Sequence, residues 1–361
     1  MLLFEDLRAS NQQFFEEYKK AFSDVLESGW FIQGKRLKNF ESSFAQEHGI
    51  KNAIGVANGL DALILAIRAL HLQPGDEIIV PSNTYIATIL SIIHNQCVPV
   101  LVEPSIDTYN INPLLIERAI TKKTKAVLVV HLYGKCCDMD PIVTIAKTYG
   151  LYVIEDCAQS HGAKYKNQIC GTFGDAGCFS FYPTKNLGAL GDAGAIITAN
   201  DEYARLLLQL RNYGSEKKYH NEVVGFNSRL DELQAALLSI KLKSLAALNE
   251  HRKNLATLYQ QHLKDVFIKP VSGPDYDDVF HLYTIRHQQR DRLKQYLSDN
   301  QIGSEIHYPV PPHRQNALKH LYTDKSFPVS EEIHSTILSL PCSICHSEED
   351  VLGVIEVMNR F

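Results

Sequence analysis

Short apolar runs of strand length alternate with helical segments from residue 52 to residue 154, and this alternation restricts the fold more than any other feature of the chain. Asn52–Val56, Glu77–Val80, Val98–Val102, Ala126–Leu132 and Tyr152–Ile154 are rich in Val, Ile and Leu and too short for helices. Between them, Leu60–Leu70 puts Leu60, Leu63, Ile64 and Ile67 on one face at helical spacing, and Tyr85–His94 reads as another helix. Strands that are apolar throughout are buried on both sides, which a mainly parallel sheet covered by helices on both faces provides. An α/β fold is therefore expected.

The flanking segments suggest how the rest is arranged. Phe14–Glu27, ending at Ser28-Gly29, and Phe40–His48 read as helices ahead of the sheet. Near residue 240 the alternation stops, and Leu233–Tyr259 reads as a long helix, whole or broken, that crosses into a second unit. The chain of 361 residues is long enough for two domains. The expected division is a large domain over 1–240 and a small C-terminal domain over 241–361.

Composition removes several classes. With a net charge of −5, no general basic surface is available for nucleic acid. The longest apolar runs, such as Ile89–Ile93, are far too short to span a bilayer, and MLLFEDLRASNQ lacks a signal-peptide pattern, so a cytoplasmic protein is expected. The eight cysteines lie mainly in apolar or glycine-rich segments, as suits reduced, buried thiols. Cys342-Ser343-Ile344-Cys345-His346 fits a haem-attachment spacing, but that chemistry requires export, and no second ligand pair stands at a zinc spacing. It reads as a loop before a last helix, Ser347–Arg360, and no metal site is expected.

Open α/β sheets hold ligands beyond the carboxyl ends of their strands. Three such ends carry polar groups. Asn58-Gly59 opens a helix, where Asn58 can cap and Gly59 lets backbone N–H groups approach an anion, although many helices begin this way for structural reasons alone. Glu155-Asp156 follows the run Tyr152–Ile154. In FSFYPTKNLGALGDAGAI, Phe179–Tyr182 reads as a strand and Lys185 follows it. Asp156 and Lys185 could form a plain ion pair. The chemical alternative is pyridoxal phosphate (PLP), whose aldehyde takes a lysine amine, whose ring nitrogen takes an acid and whose phosphate takes a helix N-terminus and hydroxyls.

The motifs ESGWFIQGKRLKNFE, EDCAQSHGA, FSFYPTKNLGALGDAGAI, GFNSRLDELQAA and IHYPVPPH, in this order over nearly the whole chain, resemble the DegT/DnrJ/EryC1/StrS family of PLP-dependent nucleotide-sugar aminotransferases. The resemblance implies the aspartate-aminotransferase fold (fold type I), with a mixed, mostly parallel seven-stranded sheet and a small C-terminal α/β domain. It implies that Lys185 forms the internal Schiff base and later moves the donor's α-proton. Asp156 is then expected to pair with the ring nitrogen, Gln159 to lie near the ring's phenolic oxygen, and Tyr85 to stack on its face. Ser180, Asn58 and Gly59 are expected to hold the phosphate, and Asn227 to reach the partner subunit's cofactor, which makes the protein a homodimer with shared sites. Read alone, Tyr85 could be a packing residue at a helix start, Asn227 a turn cap, and Arg229 with Asp231 a structural ion pair.

YPTKNLGALGDAGA is similar to the pattern of the family's 3-amino-sugar branch, with Thr184 and Ala193 at positions of glycines. That branch implies sugar contacts from Tyr182, His307 and Tyr308. It also implies L-glutamate as donor and a dTDP-3-keto-6-deoxyhexose as acceptor, giving a 3-amino-3,6-dideoxyhexose of galacto or gluco form for a surface glycan. Alternatives are a C-4 aminotransferase and a non-catalytic PLP-binding regulator. His131–Asp138 departs from the family's usual HLYGQPADMD at Lys135, Cys136 and Cys137, to which the sequence assigns no role.

Overall fold

The computed structural model describes residues 1–361 and contains the seven-stranded sheet. Its strands are β1 (Asn52–Val56), β2 (Glu77–Pro81), β3 (Val98–Val102), β4 (Thr124–Val130), β5 (Tyr152–Asp156), β6 (Ala176–Ser180) and β7 (Gly194–Thr198). They lie in the order β1-β7-β6-β5-β4-β2-β3. All neighbours from β6 to β3 are parallel, and β7 runs antiparallel to both β1 and β6.

Alternate residues of each strand feed two cores. Ile78, Leu128, Ile154 and Ile196 pack on one face with helix Gly59–Ala69 and helix Asp201–Leu210. Ile79, Val127, Val129, Val153 and Ile197 pack on the other with helices Lys35–Glu47, Met139–Tyr149 and Glu232–Leu242. Double-sided burial explains why these strands read as continuous apolar runs.

Several boundaries differ from the sequence reading. β6 begins at Ala176 and ends at Ser180, so Phe181 and Tyr182 lie beyond it. Phe181 is buried through edge-on contacts with Phe40 and Phe44 at 5.5 and 5.3 Å. β4 stops at Val130, and Leu132–Gly134 forms a single tight turn with Tyr133 at φ 59°. β5 runs on through Glu155 and Asp156, which are therefore its last residues. The long helix is two, Glu232–Leu242 and Leu245–His262, separated at Lys243-Ser244.

Helix Leu245–His262 links two units. Leu245 belongs to the core of the large sheet, whereas Leu255 and Tyr259 belong to a third core with Tyr283, Ile285, Leu338, Leu340, Val354 and Met358. That smaller unit contains the antiparallel pair Tyr283–Arg286 and Ile337–Leu340, flanked by helices Arg290–Asp299 and Glu348–Met358. We place the passage between the units along this helix, so a boundary at 240/241 falls in the last turn of the helix before it.

The first residues pack with the small unit. Leu2 donates to Gln301 O at 2.8 Å and accepts from Gly303 N at 2.8 Å. In the opposite sense, helix Pro328–Thr336 is anchored on the large unit. The Glu103 carboxylate accepts the Val329 and Ser330 N–H groups at 2.9 and 3.0 Å, as an acid at a helix N-terminus should. No helix is long and apolar enough to cross a membrane.

Candidate active site

β5 and β6 are parallel neighbours, with Asp156 opposite Cys178, so the two strands deliver Asp156 and the Lys185 turn to the same carboxyl edge of the sheet. Lys185 lies in the turn after β6, its N–H bonded to Tyr182 O at 2.8 Å. Lys185 is half-buried, and desolvation lowers its amine from the usual lysine value to about 8, with Asp156 opposing part of that shift. Its side-chain partner is His281 Nε2 at 3.5 Å, so Lys185 is not half of a contact ion pair.

Asp156 is buried and accepts from Thr88 Oγ1 at 2.8 Å and from Ala158 N at 3.1 Å. Burial raises its carboxyl group, while these two donors, Lys185 and His131 hold it back. Thr88 gives its hydroxyl proton to the carboxylate, so Thr84 must donate to Thr88 across their 2.7 Å contact. Asp156 is thus fixed from two sides and remains available to a cationic ring nitrogen.

An anion cradle adjoins this pair. Asn58 caps helix Gly59–Ala69 by accepting the Asp61 N–H at 2.8 Å, which engages its side chain with its own helix. A Cβ on Gly59 would lie 2.5 Å from Ser180 Cβ, and one on Gly194 would collide with the Asn58 carbonyl. The absence of side chains at both positions packs the helix start against the end of β6. That contact brings the Ser180 hydroxyl beside the first N–H groups of the helix, a donor set suited to phosphate.

Gln159 joins the two sides of the site. Its Oε1 accepts the Tyr133 N–H at 2.7 Å, and its Nε2 donates to the Tyr308 hydroxyl at 2.9 Å. Tyr85 precedes helix Ile86–His94, is 53% exposed and faces the Tyr308 ring at 5.2 Å. His307 bonds through Nδ1 to Ser339 Oγ at 2.9 Å, and its carbonyl accepts the Tyr133 hydroxyl. Burial, with Lys185 adding to it, lowers the His307 imidazole to about 4. Tyr182 is exposed and, with Thr184, His281 and His307, lines a cavity of about 300 Å³ between the two units.

The structure therefore gathers Lys185, Asp156, Gln159, Tyr85, Ser180, Gly59, Asn58, His307, Tyr308 and Tyr182 around one region. Asn227 is exposed and its backbone bridges Asn212, while its neighbour Ser228 accepts the Ala57 N–H at 3.2 Å, next to Asn58. Arg229 donates to Asn212 Oδ1 at 2.9 Å instead of pairing with Asp231.

Three participants escape sequence reasoning: Thr88, Tyr133 and His281. Thr88 lies one helical turn after Tyr85, a weak signal. His281 precedes a buried strand, where a histidine is ordinarily a core residue, and nothing local marks Tyr133.

A second polar cluster is structural. His131 Nε2 faces Glu155 Oε2 at 2.9 Å, and its Nδ1 accepts the Cys137 N–H at 3.0 Å. Glu155 also takes the N–H groups of Gly171, Phe173 and Gly174 at 2.7, 2.7 and 2.8 Å. Cys136, Cys157 and Cys170 surround this pair, but the imidazole and the carboxylate are already fully bonded. Lys135 pairs with Asp278 at 3.1 Å and lies 3.9 Å from the centre of the Tyr276 ring, which gives that departure a packing role. In the Cys342–His346 loop, His346 accepts the Ser343 N–H at 2.9 Å and bonds Leu3 O at 2.9 Å, tying the loop to the N-terminal segment.

Comparison with known proteins agrees with this geometry. The profile of the DegT/DnrJ/EryC1/StrS aminotransferase family matches residues 12–359. A dTDP-3-amino-3,6-dideoxy-alpha-D-galactopyranose transaminase of Aneurinibacillus thermoaerophilus is 54% identical, covering 100% of this chain and 99% of its own. A dTDP-3-amino-3,4,6-trideoxy-alpha-D-glucose transaminase of Streptomyces venezuelae is 43% identical over 99% of this chain and 95% of its own. Among solved structures, S. venezuelae DesV, in complex with a ketimine intermediate, superposes with a TM-score of 0.97 at 43% identity, covering 99% of this chain and 98% of that one. NtdA from Bacillus subtilis, with bound cofactor PMP, superposes with a TM-score of 0.91 at 32% identity, covering 99% and 84%. With its sheet, its lysine-bearing turn and these relatives, the chain belongs to the DegT/DnrJ/EryC1/StrS aminotransferase family.

Proposed function

We propose that the protein is a PLP-dependent aminotransferase that moves an amino group from L-glutamate to C-3 of a dTDP-3-keto-6-deoxyhexose. The product is a dTDP-3-amino-3,6-dideoxyhexose for surface-glycan assembly. The observation that carries the reading is the half-buried Lys185, its amine lowered to about 8, at the same sheet edge as the buried Asp156. The sugar assignment draws its support from the full-length relative that acts on a dTDP-3-amino-3,6-dideoxygalactose.

The residues present fit PLP: an amine of lowered basicity, a buried carboxylate with two donors of its own, and a helix start packed on a serine. When bound, PLP supplies an electrophilic carbon for the amine and a ring that draws off negative charge as a proton leaves the donor. Lys185, its amine mainly neutral above about pH 8, would accept the donor's α-proton and return it one position away. Asp156 would hold the ring nitrogen and favour its cationic form. Ser180 and the N–H groups at Gly59 would anchor the phosphate, and Tyr85 would pack against the ring. Gln159, fixed by Tyr133, orients Tyr308, and with Tyr182 and His307 this edge receives the sugar.

We also propose a homodimer in which Asn227 serves the partner's site. Trp30 and Phe31 are 62% and 52% exposed, and Ile32 bridges Asp231, so an uncovered apolar run borders the exposed Asn227 segment. The deciding experiment records the visible spectrum of PLP-loaded protein, adds L-glutamate, then supplies 3-keto and 4-keto dTDP-sugars separately. Bleaching by glutamate and recovery with the 3-keto sugar alone is expected. Recovery with the 4-keto sugar alone would move the product to a 4-amino sugar, and a missing band would overturn the cofactor assignment.

A further inference from the structure

His281 is buried, belongs to no motif recognised in the sequence, and faces Lys185. Its ring orientation can be worked out from its neighbours. Asn249 Nδ2 donates to His161 O at 2.8 Å, which leaves Asn249 Oδ1 to accept from Asn186 Nδ2 at 2.8 Å. The same Asn186 amide nitrogen donates to Val279 O at 3.0 Å. Both Asn186 amide hydrogens are thereby engaged, and flipping the amide would set its carbonyl against two acceptors. Asn186 Oδ1 must then be what meets His281 Nδ1 at 3.2 Å, so Nδ1 carries the ring proton. Nε2 is left with its lone pair, 3.5 Å from Lys185 Nζ. The chain of bonds has one polarity from the lysine amine to the His161 carbonyl, and every member after Lys185 is buried.

We propose that His281 is a positioning residue for Lys185: its Nε2 lone pair accepts an N–H from the lysine amine and so aims that amine's own lone pair at the carbon whose proton it removes. This rests on the reading of Lys185 as the proton-transferring amine. A primary amine freed in a pocket rotates about its last carbon–nitrogen bond, and only some orientations direct the lone pair productively. One fixed acceptor removes that freedom. His281 does not take the proton itself. Burial and the surrounding Lys185, Arg252, His307 and His161 hold its imidazole well below the usual histidine range, so it stays an acceptor. Arg252 Nη1, bonded to the His281 carbonyl at 3.3 Å and to Cys342 O at 2.6 Å, holds the backbone beneath the ring. The 3.5 Å separation is long, as such contacts are before a substrate is bound.

The test compares His281→Leu, which removes the acceptor, with His281→Gln, whose Oε1 can stand where Nε2 does. Each variant is melted, the rate at which its apoprotein captures PLP is followed from pH 6 to 10, and the loaded enzyme is reacted with L-glutamate bearing hydrogen or deuterium on the α-carbon. Expected for His281→Leu is an unchanged glutamate KM, a kcat roughly 10–100-fold lower and a larger deuterium effect. Its PLP-capture profile should shift to lower pH, because an acceptor that favours the ammonium form is gone. His281→Gln should restore most of the rate and the profile. A leucine variant with wild-type rates and profile, or a glutamine variant no better than leucine with KM raised in both, would overturn the proposal. If wild-type protein captures no PLP, the functional reading fails; if it does and the two variants match it, only the role of His281 fails.

Discussion

Gln159 and Tyr308, from opposite units of the molecule, share a hydrogen bond of 2.9 Å, and the direction of that bond is set by a third group, the Tyr133 N–H held on Gln159 Oε1 at 2.7 Å. The carboxyl edge of the large sheet is thereby coupled to the loop that bears His307. Tyr308→Phe keeps the ring and deletes the hydroxyl. We expect it to leave the reaction with glutamate unchanged and raise the KM for the keto-sugar several-fold, at a stability cost of about 1 kcal/mol. Steady-state kinetics with each substrate varied in turn, alongside a urea melt, would show this. An equal effect on both half-reactions would contradict it.

Lys185 should leave a mark on stability as well as on chemistry. Its folded value, about 8, lies below the unfolded one, so burial of its charge opposes folding at neutral pH. Between about 8 and the unfolded value the unfolded chain binds more protons, and stability rises with pH. Apoprotein carrying Lys185→Met should therefore melt higher than wild type at pH 7. The difference should shrink as pH rises from about 8 through 10, and calorimetry across that range measures it.

Gly59 tests the anion cradle. In Gly59→Ala the new methyl would meet Ser180 Cβ at 2.5 Å, forcing the helix start away from β6. We expect a modest loss of apoprotein stability, about 1–3 kcal/mol, and PLP binding at least roughly tenfold weaker, since the phosphate donors no longer converge. Titration followed by absorbance reads the second quantity. Unaltered PLP affinity would mean that the phosphate is held elsewhere.

Glu155 offers a control next to the site but outside the chemistry. Glu155→Ala removes the acceptor of one buried and two half-buried N–H groups and of the buried His131, a loss of about 3 kcal/mol or more. Glu155→Gln, keeping one carbonyl, should lose less. Urea denaturation ranks the two, and any folded fraction should retain its visible band with PLP.

The apolar run at Trp30–Ile32 tests the dimer. Phe31→Glu places a charge on an exposed apolar surface, where a monomer tolerates it and a packed interface does not. Sedimentation should show a shift toward monomer, with activity falling in proportion and recovering at high protein concentration. A dimer of unchanged strength would move the interface elsewhere.

Much of this arrangement was legible in the sequence, for identifiable reasons. β1 and β3, although edge strands with exposed or half-buried residues, match their expected spans because short runs containing Val and Ile or Leu are bounded by polar and turn-forming residues. β6 did not: its first residues, Ala176 and Gly177, carry little strand preference, while Phe181 and Tyr182 extend the apolar pattern past the strand's end. Phe181 owes its burial to Phe40 and Phe44, contacts that no local window contains. In the site, Lys185 and Asp156 stand out because charged residues at strand ends are unusual. His281 does not stand out, since what distinguishes it is a proton position dictated by Asn186 and Asn249 through the folded chain.

The pairing of Leu2 with Gln301 and Gly303 has a consequence for biosynthesis. A segment that leaves the ribosome early has its hydrogen-bonding partner in one that emerges late, and the Leu3 carbonyl waits later still for His346. The nascent large unit must carry that segment unpaired until residues 301–303 have been made. A chain stalled short of residue 301 would leave the Leu2 N–H and carbonyl unpaired and open to proteases.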